Sequence, residues 1–177
     1  MRPLMEVASG GELSRIMLAI KTVLADSDDI PTLIFDEIDT GISGRTAQKV
    51  SEKLSYIAKS HQVICITHLP QIAAAADAHY LIQKQTDQTT TKTGIFPLDE
   101  DASVGELARL LGGAQVTKNI LDSAKEMKEM AAVYGFDISR PANKRKRSCA
   151  VAVLRISCSN QDSERSCNEC WTYLYIP

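Results

Sequence analysis

Apolar residues along this chain follow two patterns, a helical periodicity and short unbroken runs. Leu13, Ile16, Met17, Ile20, Val23 and Leu24 recur at a spacing that predicts a helix with one apolar stripe. A second amphipathic helix places Ala47, Val50, Leu54, Ile57 and Ala58 on its buried side. Between them, Thr32-Leu33-Ile34-Phe35 is a short run bounded by Pro31 and Gly41, and Gln62-Val63-Ile64-Cys65-Ile66-Thr67 is another. Runs of this length between turn formers predict strands buried on both faces of a parallel sheet. Residues 69–76 read as a short helix, 79–82 as a strand, 86–93 as a polar turn, and 94–98 as a returning edge strand where Pro97 is tolerated. Ser103-Val104-Gly105-Glu106 predicts a capping box for a helix carrying Leu107, Leu110 and Leu111, stopped at Gly112-Gly113. A last helix from Thr117 buries Ile120, Leu121, Ala124 and Met127. The expected fold class is α/β, a parallel sheet flanked by helices.

The chemistry gathers where these elements end. The run 32–35 leads directly into Asp36 and Glu37. An unpaired buried carboxylate is costly, and the carboxyl ends of parallel strands face the crevice where α/β folds bind ligands. Such a pair suits nucleotide hydrolysis, with Asp36 in a Mg²⁺ shell and Glu37 polarising a water; the plainer reading is an acidic loop after a core strand. His68 closes the second strand on the same expected side, so a site shared with the two acids is expected. Ser9, Gly10 and Gly11 open the first helix, where free N–H groups attract an anion and two glycines allow close approach. The alternative is an ordinary capping box made by Ser9 and Glu12.

Composition divides the chain in two. The 177 residues suit one domain with an appendage, and a formal charge of −2 supplies no global field toward nucleic acid or membrane. From Asp137 onward seven basic and four acidic side chains give +3, which leaves −5 for the rest. Cys149, Cys158, Cys167 and Cys170 also fall in this tail, and their spacing does not form the two close pairs of a zinc site. Lys144-Arg145-Lys146-Arg147 reads as a solvated run. Residues 133–177 are therefore expected to be an irregular, poorly packed tail on a domain spanning 1–132. With no apolar run of membrane-spanning length and no secretory leader in Met1-Arg2-Pro3, a cytoplasmic protein with no membrane partner is expected.

Taken together, the motifs resemble a known family. Ser9-Gly10-Gly11-Glu12 looks like the signature loop of ABC ATPases, Leu33-Ile34-Phe35-Asp36-Glu37 like a Walker B strand, and His68 like the switch histidine. The stretches 7–15, 35–44 and 67–72 resemble the RecN family of bacterial DNA-repair proteins, SMC-like ATPases, over roughly residues 5 to 132. The resemblance implies the carboxyl-terminal lobe of a P-loop NTPase head that uses ATP and Mg²⁺ in recombinational repair of DNA double-strand breaks. It implies that Asp36 holds Mg²⁺, that Glu37 and His68 are catalytic, and that Ser9, Gly10, Gly11 and Glu12 meet ATP held by a partner head. Ser43 stands where many ABC transporters carry a D-loop aspartate. In full-length members the heads would dimerise, and DNA would be bound by the complete protein in the nucleoid. No glycine here is followed by lysine, so this sequence lacks a P-loop; that lobe is expected from another segment or chain, and the chain alone is expected to be inactive. Ser9 is expected to stand away from Asp36 and Glu37, because it would serve a partner's nucleotide. The alternatives are an interaction module or a nucleic-acid-binding module.

Overall fold

A helix that opens on two glycines can bring its first turn unusually close to a neighbouring backbone, and that approach sets one end of this fold. The computed structural model describes residues 7–25, 29–86, 91–113, 115–134 and 149–157. In chain order the elements are α1 (Gly10–Leu24), β1 (Thr32–Phe35), α2 (Gly44–Ile57), β2 (Gln62–Thr67), α3 (Pro70–Ala74), β3 (Ala78–Thr86), β4 (Thr91–Leu98), α4 (Glu100–Gly112), α5 (Lys118–Tyr134) and β5 (Cys149–Ser157).

The sheet runs β1-β2-β5-β3-β4. β1 lies parallel to β2 with Phe35 opposite Cys65, and β5 lies parallel to both β2 and β3. β4 returns antiparallel at the edge, where Pro97 pairs with Tyr80. An α/β fold is what the apolar runs predict. Their double burial is not observed: Leu33, Phe35, Val63 and Cys65 are buried, whereas Ile34 is 68% exposed and Ile64 and Ile66 are half-buried. One face of β1 and β2 thus carries the core, filled by Ala47, Val50, Leu54 and Ile57 of α2, Ile72 and Ala73 of α3, Leu107 and Ala108 of α4, and Ala124 of α5.

Three expectations are corrected. In α1 the buried residues are Gly11 and Leu18, while Ile16, Met17, Ile20, Val23 and Leu24 of the apolar stripe face outward. The stripe is real, but no described element covers it. In α4 the helix starts at Glu100, capped by Asp99, whose carboxylate accepts the Ala102 N–H at 2.8 Å. Ser103 is therefore an interior, buried residue rather than a cap. Finally, Cys149–Ser157, inside the stretch expected to be irregular, forms a strand in the middle of the sheet. Cys-Ala-Val-Ala-Val-Leu-Arg-Ile-Ser has neither glycine nor proline and is rich in β-formers; the surrounding charge and cysteine content obscured that pattern. Lys144–Arg147, Cys158, Cys167 and Cys170 lie outside the described residues.

Candidate functional site

Because β1 and β2 are in-register parallel neighbours, the residues that follow them emerge side by side. Asp36 and Glu37 on one strand and His68 on the other share the carboxyl end of the sheet, as expected. Asp36 and Glu37 are exposed, and Asp36 Oδ1 accepts the Glu37 N–H at 2.9 Å. Glu37 has φ +55°, a left-handed conformation that costs a side-chain-bearing residue about 1–2 kcal/mol. Backbone of this kind is held only where surrounding contacts over-determine it.

Those contacts come from α1. Ser14 Oγ donates to the Asp36 carbonyl at 2.7 Å, and Arg15 Nη1 donates to the carbonyls of Ile38 at 3.1 Å and Thr40 at 2.9 Å. A Cβ on Gly10 would collide with Glu37 Oε2, and one on Gly11 would stand 2.7 Å from the Glu37 carbonyl oxygen. The absence of two side chains therefore lets the helix start rest on the turn that carries the acids. The expected separation of this loop from the acids is corrected: Ser9 adjoins Gly10, which touches Glu37.

Ser9 caps α1 in a full capping box. Its N–H and hydroxyl donate to Glu12 Oε2 at 2.8 and 2.9 Å, and its Oγ accepts the Glu12 N–H at 3.4 Å. The hydrogen bond from the Ser9 amide, then that from its hydroxyl, and then Arg15 hold the Glu12 carboxyl below its ordinary pKa. The cap reading of Ser9 is thus realised locally, and Ser9 remains exposed at a helix N-terminus.

The residue that sequence reasoning passed over is Asp39. It is buried, and one oxygen, Oδ2, receives the Thr67 hydroxyl at 2.5 Å and the His68 N–H at 2.8 Å, with His68 Nδ1 2.9 Å away. Asp39 ties the turn after β1 to the end of β2 and fixes the orientation of the half-exposed His68 ring. The available signal was its place three residues after Asp36, as a third acid within four positions. Ser43 is the exposed N-cap of α2, its Oγ 3.4 Å from Thr46 Oγ1.

Two grooves are lined by none of Asp36, Glu37 and His68. One of about 520 Å³ follows α1 past Val7, Glu12, Arg15 and Ile16. The other, about 240 Å³, lies beside His79, Ser103 and Lys128. There Ser103 Oγ lies 2.6 Å from His79 Nδ1 and accepts from Lys128 Nζ at 3.0 Å, and His79 Nε2 meets the Ala73 carbonyl. This network joins β3, α3, α4 and α5. Among the described residues no three His, Cys, Asp or Glu side chains gather as a metal site, and no helix is long and apolar enough to cross a membrane.

No family model matches the chain. Known proteins do. It is 46% identical over 131 residues to the DNA repair protein RecN of Bacillus subtilis, covering 74% of this chain and 23% of that one. It is 48% identical over 127 residues to that of Vibrio cholerae, covering 72% and 23%, and 48% identical over 126 residues to that of Treponema pallidum, covering 71% and 22%. The similarity falls in the carboxyl-terminal region of these relatives, and the chain spans less than a quarter of their length.

Proposed function

This chain belongs to the RecN family, and from that premise we propose that its strand-end residues form half of a composite ATP site serving DNA double-strand break repair. The observation that carries the reading is the clamp by which Asp39 aims His68 beside the Asp36–Glu37 pair on adjacent parallel strands. The donor set fits a magnesium nucleotide. Two exposed carboxylates stand at a strand end, and an exposed helix N-terminus lies beside them.

In this reading Asp36 would hold Mg²⁺, and Glu37, kept in its left-handed conformation by α1, would orient the attacking water. His68 donates a hydrogen bond to the terminal phosphate. Ser9 with the Gly10 and Gly11 amides, capped by Glu12, contacts a nucleotide held by a second head, and Ser43 lies on that dimer face. Bound Mg²⁺ supplies charge neutralisation on the transferred phosphoryl group. Because the Ser9 loop rests on Glu37, docking of a second head at Ser9 bears on the residue that positions water. The P-loop comes from another segment or chain, and DNA engages the complete protein.

The test mixes this chain with the amino-terminal portion of a RecN relative. Hydrolysis is expected only in the mixture. Glu37→Gln should lower turnover about 10²–10³-fold while prolonging an ATP-bound dimer; Ser9→Arg should lower turnover and shorten dimer lifetime. Turnover and dimerisation unchanged by both substitutions would refute the composite site.

A further inference from the structure

The buried carboxylate of Asp39 fixes more than the direction of the His68 ring. Its Oδ2 lies 2.9 Å from His68 Nδ1 and also accepts the Thr67 hydroxyl and the His68 N–H. An ionised carboxylate only accepts hydrogen bonds. A bare ring nitrogen at that distance would set its lone pair against the carboxylate oxygen, so the ring proton belongs on Nδ1. The partner of one imidazole nitrogen thereby sets the role of the other.

The consequence falls on Nε2. With Nδ1 turned to Asp39, Nε2 is the nitrogen through which the half-exposed ring can reach a ligand. In the neutral ring Nε2 then holds a lone pair and no proton. A phosphate oxygen is an acceptor too, so the neutral ring cannot bond it. The imidazolium can, by gaining a solvent proton at Nε2 while Nδ1–H stays on Asp39. The ring changes charge without turning. Among the described residues, the charged groups on the elements that meet at the end of β2 are Asp36, Glu37 and Asp39 after β1, the exposed Arg45 in the first turn of α2, and Arg155 on β5, two positions past the register partner of Thr67. The short helix α3 carries none.

We propose that Asp39 locks His68 as the Nδ1–H tautomer, so that His68 meets a terminal phosphate only as an imidazolium and each nucleotide bound brings a proton into the site. Asp39 is a positioning residue that decides charge as well as direction. The tautomer stands on the geometry alone; the phosphate as ligand rests on the composite-site reading. Only the protonated fraction of the ring is competent, so nucleotide affinity falls as pH rises through the titration of His68. Above about pH 7, where an ordinary imidazole is neutral, each further pH unit weakens binding about tenfold.

The tautomer is read on the full chain by nitrogen NMR of the histidine rings at about pH 8, where imidazoles are neutral, with His68→Gln assigning the signal. The His68 ring should show a protonated Nδ1 and a bare Nε2. Asp39→Asn, whose amide can offer an N–H to Nδ1, should shift the ring toward the Nε2–H form. Proton uptake is counted by titrating Mg²⁺-ATP into a mixture of the Glu37→Gln chain and the amino-terminal portion of Bacillus subtilis RecN lacking the matched region, where slow hydrolysis keeps released protons out of the count. Calorimetry in two buffers of unlike ionisation enthalpy should give about one proton taken up per nucleotide above about pH 7. His68→Gln should remove that uptake. Asp39→Asn should lower it, because an Nε2–H ring donates to phosphate without gaining a proton. A neutral His68 ring found as Nε2–H in the unmodified chain would overturn the proposal, and so would nucleotide binding without uptake. Uptake that persists in Asp39→Asn would remove Asp39 from the role. If the ring is Nδ1–H and the mixture binds no nucleotide, the composite site fails and Asp39 keeps the tautomer.

Discussion

Asp39 Oδ2 lies 2.8 Å from the His68 amide nitrogen and 2.9 Å from the His68 ring nitrogen Nδ1, so one buried oxygen sets both the backbone and the ring of the strand-end histidine. The same oxygen takes the Thr67 hydroxyl. Asp39→Ala strands one buried and one part-buried donor and should cost about 2–3 kcal/mol of stability. Asp39→Asn keeps one acceptor and should cost less. Paired with Thr67→Val, the alanine change should be clearly less than additive in urea denaturation, because the two share a bond. Additive losses would show that the Asp39–Thr67 contact carries no energy.

Gly10 and Gly11 meet Glu37 differently, and this separates two otherwise similar substitutions. A Cβ at Gly11 would meet the Glu37 carbonyl oxygen at 2.7 Å, a backbone atom held by the Thr40 N–H. Gly11→Ala should therefore destabilise by about 1–3 kcal/mol through overpacking. At Gly10 the obstacle is the end of the Glu37 side chain, which can swing away. Gly10→Ala should leave the denaturation midpoint nearly unchanged while moving the Glu37 carboxylate. The reverse order of stability losses would contradict the contact.

His79 predicts a pH dependence. Burial holds it below its ordinary pKa of 6.5; the Ala73 carbonyl and Glu106 pull the other way, and Lys128 adds to the lowering. The unfolded chain thus takes up the proton first as pH falls. Stability from neutral His79 is fully present above about pH 6.5 and is lost as pH drops toward the folded value. The urea midpoint should fall between pH 7 and pH 5, and His79→Gln should flatten that slope. An unchanged slope would place the titration elsewhere.

Much was decided by local pattern. The spacing of Ala47, Val50, Leu54 and Ile57 predicts the buried side of α2, and all four are buried. Gly112-Gly113 ends α4, with Gly113 at φ +66°. The runs ending at Phe35 and Thr67 are parallel neighbours, so Asp36, Glu37 and His68 meet at one sheet end. The first two depend on residues close in sequence, where periodicity and turn chemistry carry the information, and the third on two strands that one intervening helix joins. Periodicity groups residues on a face without saying what lies opposite. The α1 stripe shows this: Leu18 faces the core while Met17 and Val23 face outward. Ser103 could read as a cap until the fold brought His79 and Lys128 to it. Asp39 found its partners 28 and 29 residues away. The place of Cys149–Ser157 was the least legible, because strand pairing joins backbones across long stretches of chain and any extended apolar segment can satisfy the same ladder. Only the tertiary structure decided that this segment sits between β2 and β3.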